Sequence, residues 1–238
     1  MKPLRVEVWS DIACPWCWVG KRHLEQAIAG AGDLGDVEVV SRAFELDPAA
    51  PQQPEPGLDL VARLARKYGA SMQQAQQMID RMTQVGAADG LDFRFDRVVP
   101  VRTFDAHRLL HWAALEGRQP QLVEALFRAY MHEGRAVSDH DVLVELAAQA
   151  GLDPERARAT LAGDAYTQEV RAEQKKAREL GITGVPFFVV DGRYGISGAQ
   201  PAAVLRKVLE QARSEQAEQA PAADDPLACG PDGCDVPA

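Results

Sequence analysis

Cys14-Pro15-Trp16-Cys17 places two thiols with two residues between them, a spacing from which they can exchange one disulfide. Positions i and i+3 share one face of a helix, so the two sulfurs can meet if a helix begins here. Pro15 suits the first helical position, where no N–H is needed. In that arrangement Cys14 stands before the first turn, facing unpaired backbone N–H groups and the positive end of the helix dipole, which favour thiolate over thiol. Cys14 is then the attacking nucleophile and Cys17, deeper in the helix, the resolving thiol. The pair read alone is also compatible with half of a zinc site or with two buried cysteines. Its place after a strand and at a helix start favours redox use.

The elements around the pair supply that place. Arg5 to Ser10 alternates apolar residues as a strand does, and Pro15 to about Ala29 carries a helical apolar face through Trp18, Val19, Leu24, Ala27 and Ile28. Asp36 to Phe44 reads as a second strand, so strand–helix–strand implies parallel pairing through a crossover. A mainly helical block follows the Pro-rich stretch 48–56. Its helices are expected near 58–68, 71–86 (with a Ser71/Gln74 capping box), 103–116, 121–132, 139–149 and 154–162. A charged helix over 167–180, a strand containing Val185 to Val190, a turn at Asp191-Gly192, a strand at 194–197 and a helix over 201–212 complete the pattern. The stretch 214–223 has no useful apolar period and reads as flexible.

Gly184-Val185-Pro186 precedes the buried-looking strand. A proline there is awkward in a sheet interior unless its bond is cis, which would open the Val185 backbone to a substrate strand; a trans proline at a strand start is the plainer alternative. Trp16 is a candidate for a hydrophobic substrate surface, whereas Trp9 and Trp18 read as core. His107 and His111, at i and i+4, lack the carboxylate of a metal-binding helix and read as packing or solvated. The Met72, Met78 and Met82 spacing reads as helix packing, with a possible use at a substrate groove. Glu173 to Lys176 reads as a solvated helix face.

Four cysteines occur in all, the other two in Cys229-Gly230-Pro231-Asp232-Gly233-Cys234. Gly230 to Gly233 suits a type I turn that could bring Cys229 and Cys234 together. Three readings stay open: an auxiliary redox relay exchanging with Cys14 and Cys17, a four-cysteine zinc site built from both pairs, and an inert turn. A tether of about twenty residues would span roughly 22–27 Å r.m.s..

At 238 residues, with 46% hydrophobic and 26% charged residues, the chain can bury a substantial core. A net charge of -9 argues against nucleic-acid binding, and no apolar run is long enough to cross a membrane. The N-terminus shows no secretory signal, so a cytoplasmic protein is expected, where passive disulfide staples are rare.

Asp11 to Gly20, together with Thr183 to Phe188, Ile196 to Gln200 and Phe104-Asp105-Ala106-His107-Arg108, resembles the FrnE group of the DsbA-family oxidoreductases. The resemblance runs nearly the whole chain to about Ala212. It implies an α/β thioredoxin fold with an inserted all-helical domain; the C-terminal tail beyond it reads as flexible from its composition. The catalytic domain would comprise 1–50 and 165–213, the insertion 51–164 and the tail 214–238. It further implies Cys14 as nucleophile, Cys17 as resolving cysteine and Pro186 in cis; the substrate is expected to lie beside Val185-Pro186 and Trp16. DsbA itself has histidine where Trp16 stands, so a milder potential suited to disulfide reduction or isomerisation is expected. Partners would be proteins carrying disulfides or thiols and a cellular thiol reductant, with no cofactor and no metal. Two other functions remain open: a glutathione-dependent isomerase or transferase of the kappa and hydroxychromene-carboxylate type, and a zinc-stabilised binding module. The first typically has serine at the Cys14 position and lacks the resolving cysteine.

Overall fold

A computed structural model describes residues 2–55 and 59–219. Its centre is β1 (Leu4–Ser10), which is connected through α1 (Pro15–Gly30) to β2 (Val37–Ala43). The two strands run parallel, with Leu4 opposite Val37 and Ser10 opposite Ala43. On its other side β1 pairs antiparallel with β3 (Phe187–Val190), which pairs antiparallel with β4 (Tyr194–Ser197), giving the order β2-β1-β3-β4. The β3–β4 turn uses positive φ at Asp191 and Gly192, as the Asp-Gly pair anticipates.

Because side chains alternate along a strand, β1 feeds two cores. Leu4, Val6 and Val8 pack with Leu24 and Ala27 of α1 and with Leu205, Leu209 and Ala212 of α9 (Ala202–Glu218). Trp9 points the other way, onto Ala177 and Ile182, and its indole N–H donates to the Glu173 carbonyl at 3.3 Å. Ala177 belongs to α8 (Thr167–Glu179), which covers that face.

Between β2 and α8 the chain forms α2 (Leu60–Tyr68), α3 (Met72–Ala88), α4 (Phe104–Leu115), α5 (Gln119–Arg128), α6 (His140–Gln149) and α7 (Pro154–Ala162), with a π-helical turn at Ala129–Glu133 extending α5. Side-chain caps mark several of their starts. Ser71 and Gln74 form the reciprocal capping box, and Asp59, Asp139 and Asp153 accept first-turn N–H bonds. The helices share one apolar core with the N-terminal turns of α1: Trp18 stacks on Phe127 at 5.9 Å and meets Phe93 edge-on at 5.7 Å. Glu124 of α5 ties the same join, accepting from the Trp18 indole at 3.3 Å, from Lys21 at 2.7 Å and from Arg22. Among the described residues no helix is long and apolar enough to cross a membrane.

Two expectations need correction. The helix expected to stop near Ala212 continues to Glu218. Its last turns dock through polar groups, which an apolar period does not reveal: buried Arg213 donates to the Lys2 carbonyl at 3.1 Å and the Asp36 carbonyl at 2.8 Å, while Gln216 donates to Asp191 at 2.8 Å. The stretch from Glu173 to Lys176 is not simply a solvated face, because Glu173 and Gln174 are buried. Glu173 accepts from the Arg42 guanidinium at 2.6 Å and the Ala43 N–H at 2.7 Å, and Gln174 donates to Glu45 at 2.9 Å.

Candidate active site

The fold brings Cys14, Cys17, Val185 and Pro186 to the end of β1 where α1 begins. Cys14 is the N-cap of α1, in extended conformation, with Pro15 in the first turn. The chain reaches it through a tight bend: Cys14 N–H donates to the Asp11 carbonyl at 3.0 Å, and Cys17 N–H to the Cys14 carbonyl at 3.0 Å. Both cysteines are free thiols, 5% and 2% exposed. The Cys14 Sγ donates to the Val185 carbonyl at 3.5 Å, from a loop 171 residues away in sequence. The Val185–Pro186 peptide bond is cis, and Pro186 rests against Gly20 of α1. Burial pushes the Cys17 thiol well above the ordinary cysteine range, and the neighbouring Cys14 adds to this. Hydrogen bonds from the Ser10 hydroxyl and the Asp11 backbone act in the opposite direction.

Cys14 opens onto a cleft of about 560 Å³ between the cysteine turn and helices α2 and α3. Trp16, 41% exposed, stands at this cleft with Tyr68, Met78, Met82 and Phe95. Met82 is buried in the core as its helical spacing suggests, but Met78 is exposed and lines the cleft. Arg63, Lys67 and Arg81 add positive charge to the walls, with Arg63 paired to Asp47 at 2.6 Å. Flexible apolar side chains of this kind adapt to varied apolar surfaces. Among the described residues no group of three or more histidines, cysteines and carboxylates is arranged to hold a metal.

A family model described as a DSBA-like thioredoxin domain matches residues 5–210. The chain belongs to the DsbA-like thioredoxin-domain family. The crystal structure of a probable DsbA oxidoreductase from Streptomyces coelicolor is 48% identical, with a TM-score of 0.82, covering 99% of this chain and 100% of that one. The uncharacterised protein YwbO of Bacillus subtilis is 30% identical over 215 residues, 90% of this chain and 99% of its own. A 2-hydroxychromene-2-carboxylate isomerase shares the fold at a TM-score of 0.66 and 14% identity, covering 90% of this chain and 98% of its own. This is therefore a DsbA-family thiol–disulfide oxidoreductase fold, with its cysteine pair at Cys14 and Cys17.

Several residues at the DsbA-family site escaped the sequence reading. Asp11 is buried, and its carboxylate accepts from Ala13 N–H at 3.3 Å and Leu46 N–H at 2.7 Å, so it shapes the bend before Cys14. Ser10, His107, His111 and Glu173 line one small cavity together with Arg42. The i, i+4 histidines were a visible signal, but Glu173 is supplied by a helix 62 residues further on and gives no local sign. Cys229 and Cys234 lie outside the described residues. The described chain ends at Gln219, six residues beyond Arg213, which meets Lys2 just before β1, whereas Cys14 follows the end of β1.

Proposed function

We propose that this DsbA-family protein reduces or isomerises disulfides in protein substrates through a mixed disulfide at Cys14. The observation that carries the reading is a nucleophile at a helix start, hydrogen-bonded to Val185 and opening onto an apolar cleft. In the first step the Cys14 sulfur attacks one sulfur of a substrate disulfide; that S–S bond breaks and the other substrate sulfur leaves as a thiolate. Cys17 then attacks the Cys14 sulfur, forming the Cys14–Cys17 disulfide and releasing the second substrate thiol. A thiol reductant restores the dithiol. Isomerisation instead returns the first thiolate, or another substrate thiol, to the mixed disulfide. Trp16, Val185 and Pro186 are the proposed substrate contacts, with Tyr68 and Met78 extending the apolar surface.

The FrnE-group assignment is part of this reading, supported by the Cys14-Pro15-Trp16-Cys17, Gly184-Val185-Pro186 and Asp105-Ala106-His107 motifs. So is the auxiliary pair Cys229 and Cys234. Ten residue steps separate Gln219 from Cys229, roughly 16–19 Å r.m.s. for a flexible chain and up to about 33–36 Å when extended. The seven residues of β1 that separate the two ends of the sheet cover about 23 Å.

The test is dithiothreitol-driven insulin reduction by wild type, Cys14→Ser and Cys17→Ser. Turnover above the uncatalysed rate, lost in Cys14→Ser, is expected, with Cys17→Ser accumulating a substrate mixed disulfide visible by mass. Wild type no faster than dithiothreitol alone would overturn the reading and return attention to glutathione-dependent isomerisation.

A further inference from the structure

The cleft beside Cys14 carries a charge opposite in sign to that of the chain as a whole. Net charge is -9, yet Arg63, Lys67 and Arg81 all line the cleft. The two carboxylates on its walls are already engaged. Asp47 accepts from the Arg63 guanidinium at 2.6 Å, and buried Asp11 accepts from the Ala13 and Leu46 N–H groups at 3.3 and 2.7 Å. Lys67 and Arg81 are exposed, and neither has an ion-pair partner among the described residues. Lys67 suits the last turn of α2, where the helix dipole favours a cation. Arg81 sits in the interior of α3, and Asp80 beside it accepts from Gln76 at 2.8 Å.

The concave surface does not end at this cleft. Tyr68, Met78 and Arg81 also line a second, more open hollow of about 440 Å³, together with Gln74 and Gln77. One path therefore leads from Cys14 past Trp16 and Met78 to Arg81 and on to the two glutamines. Near the sulfur its walls are largely apolar. Further out, the glutamine amides can both donate to and accept from a peptide backbone. A surface in two connected parts fits an extended chain better than a small compact thiol.

We propose that Lys67 and Arg81 select substrates whose disulfide lies in an extended acidic segment. The inference rests on the mixed-disulfide reading above. Aspartate or glutamate flanking the substrate cysteine meets these two cations while the cysteine sulfur reaches Cys14. Arg81 can hold a carboxylate through two parallel N–H bonds, and Lys67 acts as a point charge. Carboxylates around a disulfide repel an approaching thiolate, and cations along the path to Cys14 offset that repulsion. They also raise the encounter rate of an acidic segment with a chain whose net negative charge opposes it. Both cations are exposed, so the preference weakens as salt rises.

The experiment uses the full reduced chain carrying Cys229→Ser and Cys234→Ser. Its probes are peptides identical except that glutamate, glutamine or lysine flanks a single cysteine held as a mixed disulfide with 2-thiopyridine. Attack of Cys14 on the peptide sulfur breaks that S–S bond and releases 2-thiopyridone, followed by absorbance in stopped flow. Rates with dithiothreitol, a neutral thiol, normalise for the intrinsic reactivity of each peptide. At low salt the glutamate peptide should react about tenfold faster than the glutamine peptide, and the lysine peptide slower still. Lys67→Gln or Arg81→Gln should each reduce the preference to about threefold, and the double variant should bring it to about unity. Arg66→Gln, which removes an exposed cation of α2 outside the cleft, should keep it. Equal normalised rates for the three peptides, a preference retained in the double variant, or an equal loss in Arg66→Gln would overturn the assignment. Two further results would overturn it by naming another occupant. The glutathione mixed disulfide with 2-thiopyridine reacting faster than the glutamate peptide would put a small thiol in the cleft. A glutamate preference that emerges only with Asp224→Asn, Asp225→Asn, Asp232→Asn and Asp235→Asn would put that stretch of this chain there. Release from every peptide no faster than with Cys14→Ser would instead sink the Cys14 reading on which the proposal stands.

Discussion

Gly20 lies directly beneath Pro186: a methyl group on Gly20 would stand 2.9 Å from Pro186 Cγ and 3.2 Å from Phe188 Cζ. Two motifs 166 positions apart therefore meet because the second turn of α1 has no side chain there. The same loop carries the Val185 carbonyl that accepts from Cys14 at 3.5 Å.

Gly20→Ala should force α1 and the Pro186 loop apart. The expected cost is about 1–3 kcal/mol of stability, as for other overpacked sites, with insulin reduction slowed several-fold. Urea denaturation and the insulin assay check this together. Wild-type values in both would show that the loop yields freely and that Gly20 does not set the Cys14–Val185 distance.

Glu173 makes stability depend on acid. Burial pushes its carboxyl up, but His111, the Ala43 N–H and Arg42 outweigh this and hold it below the usual carboxylate range. A carboxyl lowered by folding contributes stability that is fully present above its unfolded pKa of about 4.3 and lost as pH falls through the folded value. Glu173→Gln should be about 2–3 kcal/mol less stable than wild type at pH 7, with the gap closing toward pH 3. Denaturation midpoints across that range give the answer. A gap of constant size would assign the loss to packing rather than to charge.

Arg213→Ala should fray the end of α9. It removes the hydrogen bonds to Lys2, Asp36 and Gln216, an expected loss of about 2–3 kcal/mol. Hydrogen exchange should rise at amides 213–218 while the helix around buried Leu205 and Leu209 stays protected. Lys207→Ala on the exposed side of the same helix should change stability by less than about 0.5 kcal/mol. Protection unchanged in Arg213→Ala would mean that helix propensity alone carries the last turns.

What could be read from the sequence depended on how local its cause is. Cys14, Pro15 and Cys17 declare a helix-start thiol pair within four residues, and the Ser71/Gln74 box and the Asp153-Pro154 start are equally local. The alternating apolar residues of β1 and β2 with α1 between them imply a parallel pair, because an intervening helix makes that crossover. Pro186 was recognisable as the companion of the cysteines from its motif, though nothing in its own neighbours states which helix it meets.

The end of α9 and the face of α8 could not be read in this way. Hydrophobic periodicity detects apolar burial, whereas Arg213, Gln216, Glu173 and Gln174 are buried by hydrogen bonds to partners up to 211 residues away. The same holds for the small cavity beside His107. Ser10 comes from the end of β1, Arg42 from β2, His107 and His111 from α4 and Glu173 from α8, and only packing of the helical block onto the sheet places them around one cavity. Sequence by itself determined the reactive pair and the elements that carry it, since each rests on spacing within a few residues. Tertiary structure decided which side chains share the buried space around that pair, because burial and polar pairing belong to the folded chain as a whole.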